Sequence, residues 1–185
     1  YEDFGETSLT DMGFNPPGEG SLEKVQNPDD SRYPNRSTYV GKVTKNAGSQ
    51  YGGALFTLPP GYKFDLRDIS TFKVKVYADT AHTITLKLLN DDRGGNAWLS
   101  QTMVSKKMQV AEGWQVLEFD FSGVQAGYDA NWADPSQYEP DVTAADRYNH
   151  NFYDRIEIVA NDGNAEGPFI YYMDDLEGPH VEGLK

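Results

Sequence analysis

Apolar and polar side chains alternate along short runs of this chain, while the three-to-four spacing of a helix is nearly absent. In Phe72–Tyr77, residues Phe72, Val74 and Val76 fall on one face, with Lys73 and Lys75 on the other. In Thr83–Leu89, residues Ile84, Leu86 and Leu88 form the apolar face, and Thr83, Thr85 and Lys87 the polar one. A period of two buries one side of an extended chain, so both runs are predicted strands. Ala78-Asp79-Thr80-Ala81 between them predicts a hairpin, with the two strands paired antiparallel. Further strands are predicted at Tyr39–Thr44, Gly53–Leu58, Ala97–Val104, Trp114–Phe121, Arg155–Val159 and Phe169–Leu176. Gly, Asn, Asp and Pro clusters separate them, which is the rhythm of a β-sandwich or barrel. The helix candidate is a short stretch, Val142–Tyr148. The 185 residues are expected to form a single domain.

Two segments break the rhythm. Gly5–Arg36 is polar and rich in Pro, Gly and Asp, and reads as loop. Ser122–Asp154 is also read as a long loop, and it carries Tyr128, Trp132, Tyr138, Tyr148, Phe152 and Tyr153. Loops this long are usually functional or disordered, and the aromatic content argues for function. By alternation Phe72, Phe119, Phe121, Phe169 and Tyr172 belong to the core, together with Trp114. Lys73, Lys75 and Lys87 are expected on a solvated sheet face.

The formal net charge of −13 excludes nucleic acid as a partner, because binding its phosphates needs a basic surface. It also disfavours anionic membranes and acidic polysaccharides. No cysteine is present, which removes thiol chemistry, disulfides and cysteine-bound metals. No run approaches the roughly 18 apolar residues of a membrane span. The chain reads as a monomeric module of a larger multidomain protein.

Searches for catalytic patterns fail. Glu118 and Asp120 share a strand face, as the paired acids of a glycoside hydrolase would, but the surrounding pattern is missing and a solvated face is expected. No lyase-type base beside a uronate-neutralising set occurs. His82 is expected at the surface of a turn, His150 in the long loop and His180 in the tail. No nucleophile elbow, phosphate loop or His-Glu-x-x-His motif is found.

Several short motifs carry a resemblance. Val25-Gln26-Asn27-Pro28-Asp29-Asp30-Ser31 is followed by Asn35-Arg36-Ser37-Thr38-Tyr39-Val40-Gly41, then by Gln50-Tyr51-Gly52-Gly53. Glu2-Asp3-Phe4 opens the chain, and Tyr171-Tyr172-Met173-Asp174-Asp175-Leu176 lies near its end. Together these resemble the carbohydrate-binding modules of the galactose-binding-like group, of family 4, 16 and 22 type, as found in polysaccharide-degrading proteins of Bacteroidetes. The resemblance implies an all-β jelly-roll β-sandwich of two antiparallel sheets, no catalysis, a structural calcium ion and a secreted or cell-surface setting. Two departures are Gly5, where relatives carry Glu, and the length of the Ser122–Asp154 segment.

By that resemblance the calcium ligands are Glu2 or Asp3, Asn35, Ser37 and Asp174, with a strand-end cap and a frayed terminus as the alternative. A second acidic cluster, Asp129, Asp134, Glu139 and Asp141, reads as solvated loop. Sugar rings stack on flat aromatic faces. The platform candidates are Trp98, Trp132 and Tyr51, followed by Tyr128, with burial as the alternative. Arg93, Asn96, Gln101 and Asn131 are candidates for hydroxyl contacts. The expected ligand is a neutral β-glucan such as laminarin. The rival readings are a small jelly-roll hydrolase or lyase, and a structural or interaction domain of a surface protein.

Overall fold

The structure is a computed structural model that describes residues 4, 11–31, 33–122 and 152–183. Its described strands are β1 (Asp11–Asn15), β2 (Gly20–Gln26), β3 (Tyr39–Lys45), β4 (Gly53–Thr57), β5 (Tyr62–Asp65), β6 (Thr71–Tyr77), β7 (Thr83–Leu89), β8 (Thr102–Lys107), β9 (Gln115–Asp120), β10 (Arg155–Ala160), β11 (Phe169–Glu177) and β12 (His180–Gly183). Two five-stranded antiparallel sheets form the sandwich. The front sheet has the order β1-β4-β10-β7-β8, and the back sheet β2-β3-β11-β6-β9. β5 and β12 pair in a separate small ladder. This is the two-sheet antiparallel jelly roll that the alternation and the resemblance predict. Among the described residues, no helix is long and apolar enough to cross a membrane.

The predicted hairpin is not formed. β6 pairs with β9 and β11, and β7 with β8 and β10, so the chain crosses from one sheet to the other between them. The reason lies in their apolar faces. Phe72, Val74 and Val76 from the back sheet and Ile84, Leu86 and Leu88 from the front are all fully buried in one core. Two strands that each present a wholly apolar face gain more by meeting across the sandwich than by lying edge to edge.

Other expectations are corrected by packing. The polar 5–36 segment contains β1 and β2, whose Phe14 and Leu22 pack on the core. Phe152 and Tyr153 are core residues, with rings 4.9 Å apart, and not loop aromatics. It is Tyr171 that is fully buried, its hydroxyl donating to the Ile158 carbonyl at 2.6 Å. Its neighbour Tyr172 points outward onto Tyr77, whose ring also meets Trp114. Trp114 is buried as expected, and its indole N–H donates to Asn27 Oδ1 at 3.0 Å. His82 is buried, not superficial: Nε2 donates to the Ile170 carbonyl, and Nδ1 accepts from the Asn161 amide. Burial pushes the His82 imidazole below its usual range.

The first half of the predicted strand Ala97–Val104 belongs to a 3-10 segment, Asp91–Ser100, and β8 begins only at Thr102. Asn90 caps its start by accepting from the Asp92 amide. Gly94 takes φ 56° and ψ −129°, a conformation that side chains forbid and a strand cannot hold. A second glycine is demanded by packing. A methyl group on Gly41 would lie 2.3 Å from the Phe4 ring, so β3 is bare where Phe4 enters the core.

Candidate ligand-binding cleft

The core faces of β7 and β10 are apolar, so their alternate residues Lys87, Leu89, Arg155 and Glu157 point away from the core, onto the outer face of the front sheet. There they floor a cleft of about 560 Å³. Asn15 and Pro16 close it on the β1 side, and Ala97, Trp98 and Gln101 close it on the other. Tyr51 and Trp98 supply its aromatic walls and are 59% and 48% exposed.

The floor is charged, and each charge is partnered. Lys87, expected on a solvated face, is buried and donates to Asp162 at 2.8 Å, with its ammonium 5.6 Å from the Tyr51 ring centre. Arg155 bonds Asp91 at 2.8 Å and Glu157 at 2.6 Å. Glu157 Oε1 also accepts from the Asn15 amide at 2.8 Å. Ion pairs held this way orient donors and acceptors without leaving an uncompensated buried charge.

Beyond Lys87 the face continues into a shallower trough of about 370 Å³, lined by Thr83, Thr85, Ser105, Asn161, Asp162 and Asn164. Thr85 and Ser105 share a hydroxyl hydrogen bond of 2.8 Å. Asp162 belongs to the trough and pairs with the cleft lysine, so the two compartments adjoin.

Of the residues singled out from sequence, Trp98, Tyr51 and Gln101 come together here. Arg93 does not line the cleft; its guanidinium stacks 5.9 Å over Phe152. Asn96 is exposed on the same segment, outside the lining. Tyr128, Asn131 and Trp132 lie outside the described residues, as does the acidic cluster Asp129–Asp141. Sequence reasoning missed Asn15, Lys87, Arg155, Glu157 and Asp162. The available signal was a charge in the middle of each of two apolar strands, Lys87 in β7 and Glu157 in β10.

Glu118 and Asp120 stay exposed on the outer face of the back sheet, where Glu118 pairs with Lys73 at 2.9 Å. The Ser122 hydroxyl and amide hold the Asp120 carboxyl below its ordinary value. Asp120 therefore lacks the raised pKa of a buried general acid.

At the other side of the sandwich, Asp174 is fully buried, and neither of its carboxylate oxygens has a hydrogen bond of ordinary geometry. Burial pushes its carboxyl up, against the nearby Ser37 and Asn35 side chains. Asn35 is fully buried too, and its Nδ2 lacks a partner, while its Oδ1 accepts from the Ser37 amide. A buried, unbonded carboxylate beside amide and hydroxyl oxygens fits a hard cation. Among the described residues no three acidic or histidine side chains cluster, so such an ion would lean on Asp174 and neutral oxygens. Glu2 and Asp3 lie outside the described residues.

No protein-family model matches the sequence, and no curated protein does. Solved structures do. A family 11 carbohydrate-binding module from Clostridium thermocellum, in complex with a β-1,3-1,4-mixed-linked tetrasaccharide, is similar over 97% of this chain and 94% of its own, with a TM-score of 0.60 and 14% identity. The family 11 module of the cellulosomal cellulase Lic26A-Cel5E of the same organism covers 96% and 92%, with a TM-score of 0.59 and 13% identity. The C-terminal family 22 module of Clostridium thermocellum Xyn10B covers 97% and 92%, with a TM-score of 0.52 and 16% identity. These likenesses place the chain in the jelly-roll β-sandwich fold.

Proposed function

We propose that the chain is a non-catalytic carbohydrate-binding module that holds a neutral β-glucan in the cleft of the front sheet. The observation that carries this reading is the pairing of two exposed aromatic walls, Tyr51 and Trp98, with a floor of already neutralised charges. Aromatic faces take the apolar side of a pyranose ring, and the fixed polar groups below take its hydroxyls. Asn15 and Arg155 both bond Glu157 through Oε1, which leaves Oε2 to accept from a hydroxyl. The Lys87 ammonium spends one of its three donors on Asp162 and keeps the others for ligand oxygens. A uronate chain would bring unmatched anions to a floor whose cations are satisfied, on a protein of net charge −13. The likeness in fold to a module bound to a mixed-linked glucan fragment supports the ligand class.

The adjoining hydroxyl- and amide-lined trough suits a chain longer than the aromatic compartment alone would hold. Laminarin is the first ligand of choice. Asp174, Asn35 and Ser37 would hold a structural calcium ion away from the cleft. The setting is a secreted or cell-surface multidomain protein, in which this module keeps its partner domains on the polysaccharide.

The test is affinity electrophoresis and calorimetry with laminarin, mixed-linkage β-glucan, xylan and alginate, alongside an assay for released reducing ends. Retardation by a neutral glucan without product release supports the reading. Binding to alginate alone, or sustained hydrolysis, overturns it.

A further inference from the structure

The Asp91–Ser100 segment carries Trp98, yet two of its residues are glycines with open space around them. What fixes it lies beneath. Lys63, on β5, is buried and lines no part of the cleft. Its ammonium reaches Asp92 at 2.6 Å, Asn90 Oδ1 at 3.4 Å and the Asp154 carboxylate. Asp154 uses its other oxygen to accept from the Asp91 amide at 2.7 Å. The neighbouring Arg155 grips the Asp91 side chain. The far end of the segment closes on the same point, because Ser100 Oγ accepts from the Asn90 backbone N–H at 2.8 Å and donates to the Ala97 carbonyl at 2.6 Å. Oxygens from Asn90, Asp92 and Asp154 thus converge on one buried cation, the Lys63 ammonium.

We infer that Lys63 is a positioning residue for ligand binding: as an internal cation it locks the root of the 91–100 segment and so sets the Trp98 wall, without touching the ligand. This rests on the cleft being the glycan site. A wall already ordered before binding does not lose its freedom on binding, and that saving appears as affinity. Lys63 and not Arg155 is the key, because Arg155 is itself part of the cleft floor.

The experiment labels the protein with 5-fluorotryptophan and assigns the Trp98 19F resonance by Trp98→Phe. Lys63→Met strands the buried Asp154 carboxylate and will lower the melting temperature. Asp92→Asn takes the charge from one tie, whose side chain is 73% exposed, and so tests the idea in a folded protein. Asp92→Asn is expected to melt near the wild type, to shift or broaden the Trp98 resonance in the free protein, and to weaken binding of laminarin or mixed-linkage β-glucan about tenfold. Lys73→Met, on the back sheet, should change neither. An unchanged Trp98 resonance and unchanged affinity in Asp92→Asn overturn the inference. A moved resonance in a protein that binds no glycan would uphold the positioning role and sink the glycan reading instead.

Discussion

Lys87 and Glu157 stand directly opposite each other in the β7–β10 ladder, both buried on the outer face, yet each is bonded elsewhere. Lys87 turns to Asp162, and Glu157 turns to Arg155 and Asn15. Opposite charges at facing positions would ordinarily pair. Held apart by other partners, they present a donor and an acceptor side by side on the cleft floor.

Replacing Glu157 by Gln removes the acceptor charge and weakens the grip on Arg155. The expected result is glucan binding about tenfold weaker, since a hydrogen bond to a charged group contributes ~1.5–3 kcal/mol, part of which water replaces. Calorimetry reads the loss, and equal affinity would remove Glu157 from the site.

Tyr51→Ala and Trp98→Ala should each cost ~2 kcal/mol or more of binding, roughly thirtyfold in Kd. Both rings are half exposed, so melting temperatures should stay within about 2 °C of wild type. A deep drop in melting temperature would mean that the rings support the fold and not a ligand.

Removal of calcium should lower the melting temperature by about 10 °C, because an ion present at 100 to 1,000 times its Kd stabilises by ~3–4 kcal/mol. Asp174→Ala should abolish the difference between calcium and chelator while leaving the cleft intact. A melt indifferent to chelator, in protein shown by elemental analysis to be metal-free, counts against the ion.

His82 gives the fold a pH dependence with a definite sign. Its folded value lies below the unfolded one of about 6.5, so the unfolded chain binds more protons in between. The stability it contributes is complete above about pH 6.5 and is lost as the pH falls through the folded value. Protonated Nδ1 can no longer accept from Asn161. Denaturant titrations from pH 7.5 to 5 should show this decline, and His82→Gln should flatten it. An identical decline in the variant would assign the effect to other groups.

The core was legible because alternation reports directly on which side of a strand is wet. Ile84, Leu86, Leu88, Phe72, Val74 and Val76 all lie where their period placed them. Which strand pairs with which was not legible. The turn after Tyr77 has the composition of a hairpin, and only the apolar faces on both sides reveal a crossing. Tyr51 and Trp98 could be named because glycines beside an aromatic are a local signal. Lys87, Arg155 and Glu157 could not, because a charge in a strand looks solvated until the whole face is seen to be a cleft. His82 was misplaced for a related reason: its ring is buried by Phe169 and Asn161, which lie far along the chain.

The position of β10 and β11 has a kinetic consequence. Each is the third of five strands in its sheet, yet both follow every strand they pair with in the order of synthesis. The ladders β1–β4, β7–β8, β2–β3 and β6–β9 can form as the chain emerges, but they remain halves of sheets with an open edge. Neither half-sheet can join its counterpart until residues beyond 155 arrive between them. Closure of the sandwich is therefore postponed until its two central strands are made and proceeds by long-range pairing, which is slow. Until then each half-sheet offers an open strand edge on which another unfinished copy could pair.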